Sequence, residues 1–150
     1  MKNRTHSSGF TLIEMIMVVL LITLIVGMSA ALFTSSLPSQ KLEATAREMV
    51  ATFRHARSTA VAGGKWQSVF INIDAKKFGI EGSGRERNIP DAVSIKVVDS
   101  IDGEIQQGGY RFVFSPAGVV EGGRVLLGAG KKVITLEIDP IVGAVYSRVK

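Results

Sequence analysis

Apolar residues fall along this chain in three successive patterns. From Phe10 to Phe33 they are almost continuous, with Glu14 the single charge and no further charge before Lys41. After Leu37-Pro38-Ser39 they recur at Leu42, Ala46, Met49, Val50, Phe53, Ala56 and Ala60. Those steps of three and four trace one stripe of an amphipathic helix. Glu43, Arg47, Glu48, Arg54 and Arg57 take the other faces, Glu43 preceding Arg47 by four, a favourable spacing for a pair. Gly63-Gly64 stops the pattern. Pro38 removes one backbone donor and should kink or loosen the helix. The first two patterns predict one helix of about 50 residues, roughly 80 Å long at about 1.5 Å per residue.

From Trp66 the period changes to two. Val69, Ile71 and Ile73 alternate with Ser68, Phe70 and Asn72, which predicts a strand, and Asp74 to Lys77 turns the chain into a second one at Phe78 to Glu81. Gly82 to Pro90 reads as a loop. Further strands are expected around Val93–Val97, closed by Asp102-Gly103, and at Tyr110–Phe114, followed by a turn at Ser115-Pro116-Ala117-Gly118. Arg124–Leu127, Val133–Ile138 and Ala144–Val149 complete a set of about seven short strands. The expected fold class is α+β: a long N-terminal helix packed on an antiparallel β domain of two small sheets.

Composition narrows the chemistry. The 150 residues leave about 110 beyond the apolar run, enough for one modest core. With no cysteine there is no disulfide framework, no thiolate nucleophile and no cysteine-based metal site. Net charge is +5 with acids and bases interleaved, and nucleic-acid binding needs a clustered patch as well as an excess.

Glu14 is the residue that needs explaining. A carboxylate in a membrane-length apolar helix costs on the order of 2–3 kcal/mol near the centre and less near an end, so it is normally kept for a task. A plain anchor of about 20 apolar residues would account for the length but not for Glu14, nor for the abrupt start after Gly9. A secretory signal peptide would need a small-residue cut site, and Met28-Ser29-Ala30 has a bulky methionine where a small residue belongs.

Gly9-Phe10-Thr11-Leu12-Ile13-Glu14, after a short leader carrying Lys2 and Arg4, resembles the processing signal of type IV pilins and pseudopilins. The resemblance implies that a prepilin peptidase cuts between Gly9 and Phe10 and N-methylates Phe10, and that Glu14 sets subunit register in a filament. A glycine at the cut leaves the backbone accessible. Further on, Phe112 to Gly118, Gly122-Gly123 and a final hairpin with Gly143 resemble the H-type minor pseudopilins of type II secretion (the GspH/FimT family). The implied organisation is a leader over 1–9, a transmembrane and filament-core helix over 10–37, an amphipathic half over 38–64 and a periplasmic β domain over 65–150. The charges flanking the apolar run do not fix orientation, since Lys41, Arg47 and Arg54 follow it closely; a single inner-membrane pass with the C-terminal domain in the periplasm rests on the resemblance.

The function implied is a structural subunit at or near the tip of a pseudopilus that helps export folded proteins across the outer membrane. Implied partners are the major and other minor pseudopilins, the inner-membrane assembly platform, the prepilin peptidase and, as an open question, secreted cargo. The alternative is a FimT-like minor pilin that primes type IV pilus assembly or takes up DNA; an unprocessed periplasmic binding module is a third reading. No enzyme activity and no cofactor or metal are expected. His6 lies in the leader and His55 is isolated on a charged helix face. The glycines before Lys131 lack the pattern of a phosphate loop, with Val125 and Lys132 where Gly and Ser or Thr would stand. Asp99 and Asp102 read as turn residues. Lys131, Lys132, Arg148 and Lys150 are the candidates for a weak, salt-sensitive nucleic-acid contact, which is not the expected role.

Overall fold

The computed structural model describes residues 9–99 and 101–149, without the side chains of residues 29–36. Lys2, Arg4 and His6 of the expected leader, and Lys150 at the other end, lie outside the described residues. One helix, α1 (Leu12–Gly63), carries both helical patterns and continues through Pro38. Thr11 begins it: its hydroxyl oxygen accepts the Glu14 N–H at 3.3 Å while its carbonyl accepts the Met15 N–H. At the other end the Lys65 N–H bonds the Ala60 carbonyl and Gly64 takes a left-handed φ of 59°, the paired signs of a Schellman stop.

The chain divides into two compact units, one ending at Leu37 and one beginning at Pro38. In the first, the described side chains of α1 are exposed from Leu12 to Met28. Among the described residues no helix is long and apolar enough to cross a membrane. The described side chains of the apolar run stop at Met28, whereas in the sequence it continues to Phe33.

The second unit sets the rest of α1 against ten strands among the described residues. They are β1 (Gln67–Asn72), β2 (Lys77–Ile80), β3 (Glu86–Asn88), β4 (Ser94–Asp99), β5 (Gly103–Ile105), β6 (Gly109–Phe114), β7 (Val120–Glu121), β8 (Arg124–Ala129), β9 (Lys132–Ile138) and β10 (Val145–Val149). All pairings are antiparallel. The strands form two five-stranded sheets, ordered β3-β2-β1-β6-β7 and β10-β9-β8-β4-β5. The α+β expectation of a helix on two small sheets therefore matches, and the seven strands read from the alternation are all present. Three more exist, β3, β5 and β7. The first lies within the stretch read as a loop from Gly82 to Pro90; its three residues are all exposed, so no alternation marks it, and pairing with β2 makes it a strand.

The predicted stripe is the spine of the core. Leu42, Met49, Phe53, Ala56 and Ala60 are fully buried and Ala46 nearly so, while Val50 packs at the margin. Phe53 meets Phe112 edge-on at 4.9 Å and Phe114 at 6.2 Å, joining α1 to the first sheet. Val97, Val125, Leu127 and Leu136 present the inner face of the second. Burial of each such aliphatic or aromatic side chain contributes about 1.5–3 kcal/mol. Glu43 does not close on Arg47 as its spacing suggested. Lys132 reaches it at 2.6 Å and, by that hydrogen bond, holds its carboxyl below the usual carboxylate range.

Candidate processing and assembly site

Gly9 and Phe10 precede the first helical residue and have no regular structure, and both are exposed, Phe10 to 75%. The backbone between them is thus free of helix hydrogen bonds and open to an enzyme. Helix begins two residues further on because Thr11 supplies the cap. Thr11-Leu12-Ile13-Glu14 has the spacing of a capping box, in which Thr binds the third helical N–H and Glu sits beside it. The Thr half of that box is made. Glu14 consequently stands in the first turn, where the helix's positive end favours a carboxylate. The role of Thr11 was available in the sequence as the T-x-x-E spacing ahead of an apolar run.

Around Glu14 the side chains of Leu12, Ile13, Ile16 and Val19 are all more than half exposed. Apolar area of that extent on one helix is a surface made for covering, by lipid or by another helix.

Of the four candidate cations near the C-terminus, Lys150 lies outside the described residues, and the other three are not gathered into one patch. Lys132 is drawn to Glu43, on the side of β9 that carries the buried Ile134, Leu136 and Ile138. Arg148 pairs in register with Thr135, which alternates onto the opposite face. Lys131 is exposed in the turn between β8 and β9. His55 is exposed on α1. Asp99 serves its turn, accepting the N–H groups of Ile101 and Asp102, and also accepts the Tyr110 hydroxyl. Among the described residues, no group of three His, Cys, Asp or Glu side chains could hold a metal ion.

The glycines that carried the C-terminal resemblance have steric reasons. A Cβ on Gly123 would lie 2.1 Å from the Val98 carbonyl oxygen, and one on Gly143 would lie 2.4 Å from the Gly118 carbonyl oxygen and 2.6 Å from Arg57 Nε. Arg57 lies against both Gly118 and Gly143, its Nε donating to the Gly118 carbonyl.

Residues 4–30 match the family described as the prokaryotic N-terminal methylation motif. Over 144 residues the chain is 25% identical to the type II secretion system protein H of Xanthomonas campestris pv. campestris, covering 96% of this chain and 85% of that protein. No solved structure matches significantly. The chain thus carries the N-terminal methylation motif at one end and is similar along nearly its whole length to a type II secretion system protein H.

Proposed function

We propose that this chain is a minor pseudopilin of a type II secretion system, trimmed between Gly9 and Phe10, N-methylated on Phe10 and built into a short filament at or near its tip. The observation that carries the reading is the junction itself: an exposed, unstructured Gly9–Phe10 bond, a Thr11 cap, and one carboxylate in the first turn of an uncovered apolar helix.

Cleavage would place an ammonium just ahead of the cap, at the helix end that already carries partial positive charge. Methylation keeps that charge. It needs a carboxylate, and in a filament packed side by side the Glu14 of a neighbouring subunit supplies one. Breaking one side of such a buried pair costs around 3–5 kcal/mol, so a neighbour out of register is disfavoured. The residues before Phe10 are then the leader, 10–37 the inner-membrane and filament-core segment, 38–64 the amphipathic half and 65–150 a periplasmic domain in a single-pass arrangement. The protein makes and breaks no bond in its cargo. Subunits added from the assembly platform push the filament and its tip outward.

Exoprotein in the culture supernatant of a deletion strain tests this, with complementation by wild type or by Gly9→Val. Restoration by wild type alone, with cargo held in the periplasm otherwise, is the expected result. Untouched secretion would transfer the chain to type IV pilus assembly or DNA uptake. The separation of Lys132 from Arg148 onto opposite faces gives that second reading little support from a basic surface.

A further inference from the structure

A row of arginines on α1 faces an open sheet edge. Arg47, Arg54 and Arg57 line two hollows of about 640 and 550 Å³ that meet at Arg54 and run between α1 and β10. The remaining walls are mostly apolar, with Ala46, Val50, Val145 and Val149 among them. Among the described residues none of the three guanidinium groups has a carboxylate within ion-pair distance. The nearest acid on the groove wall, Glu43, is already taken by Lys132. Arg54 and Arg57 spend one hydrogen bond each on backbone carbonyls, those of Val145 and Gly118.

β10 is the last strand of its sheet, paired with β9 on one side only. The Val145 carbonyl accepts from Arg54, so it points away from β9. In an antiparallel pair the main-chain groups of alternate residues point the same way, so Ser147 and Val149 turn theirs to the free edge as well. The dimensions agree. Arg47 to Arg57 spans about 15 Å of helix, and five extended residues span about 17 Å.

We propose that this groove is a docking site for an extended acidic segment of a partner protein. About five of its residues lie along the open edge of β10, in the manner of an added strand, and its carboxylates reach Arg47, Arg54 and Arg57. A peptide is favoured over a nucleic acid because the edge offers main-chain donors and acceptors and the walls are apolar. The site does not depend on which filament the subunit joins.

Fluorescence anisotropy on the full chain in detergent micelles tests it, with a labelled hexapeptide of alternating aspartate and valine. A lysine–valine peptide and an oligothymidylate of the same length serve as probes of the other chemistries. Saturable binding of the acidic peptide is expected, with slowed amide exchange at Ser147 and Val149. The pair Arg47→Glu with Arg54→Glu should weaken it at least about tenfold and take up the lysine peptide instead. Arg47→Glu alone, which removes no hydrogen bond described above, should weaken it in the same direction without changing the melting temperature. No saturable binding, or affinity indifferent to these variants, would overturn the proposal. Tighter binding of the oligothymidylate, lost in the same variants, would overturn it in favour of a nucleic-acid surface.

Discussion

Two kinds of residue matter here for opposite reasons. Glu14 lies in the open, and on the proposed function its carboxylate waits for a neighbouring subunit's ammonium. Glu14→Ala should still insert and be trimmed but co-purify poorly with partner pseudopilins; normal recovery would remove it from any register role. Gly123 is already fully committed. Its missing Cβ is what allows β4 to approach. Gly123→Ala should cost about 1–3 kcal/mol, since backbone rather than a flexible side chain must move. Gly63→Ala, with open space around it, should leave the melting temperature level or slightly raised, and a thermal melt of both variants checks the contrast. The glycines could be read from the sequence as a family pattern. Their steric cause could not, because Val98 lies 25 residues before Gly123.

Among the elements, α1 was the most legible. Its stripe of three- and four-residue steps is the buried face, and its stop at Gly63-Gly64 is where the helix ends. Strands with inward alternation were equally plain. β5 and β7, of three and two residues, were not, because so short a run has no period; a neighbour's free edge defines them. The groove along β10 was illegible for a related reason, since its walls join residues about ninety apart in the chain, as the Arg54–Val145 bond does. The start of α1 carries its own expectation. Thr11→Ala removes the cap and should cost about 0.5–2 kcal/mol, seen as faster amide exchange through the first turn, with Thr11→Ser retaining protection. If exchange is unchanged, the cap is not what fixes the helix start beside the Gly9–Phe10 bond.

For the whole molecule, the question is what ties the two sheets together besides the shared core. The Tyr110 hydroxyl on β6 donates to Asp99 at the end of β4, one sheet to the other. That bond, with the N–H groups of Ile101 and Asp102, holds the Asp99 carboxyl below its ordinary range. Burial first, and then Asp99, push the Tyr110 hydroxyl upward. A depressed carboxylate stabilises above its unfolded value and loses that contribution as pH falls through the folded one. A raised phenol stabilises below its unfolded value and loses it as pH rises through the folded one. The link is therefore strongest between about pH 4 and pH 10. The melting temperature of wild type minus that of Tyr110→Phe should peak near neutrality and shrink on acidification below about pH 4. A difference that stays constant with pH would mean that packing alone joins the sheets there.

The order in which the strands are laid down has a consequence for synthesis. One sheet is complete by Glu121, yet β4 must wait for β8, its Ser94 pairing with a residue 34 positions on. Until β8, β9 and β10 arrive, the second sheet is only the β4–β5 pair, most of its cover over the core side of α1 is missing, and Arg57 has no Gly143 against it. Late, long-range pairing of this kind makes folding slow and all-or-none. A chain broken off by a stalled ribosome or clipped near its end would stay open to proteases. Folding itself would then act as a proofreading step, offering intact heads alone to whatever the subunit joins.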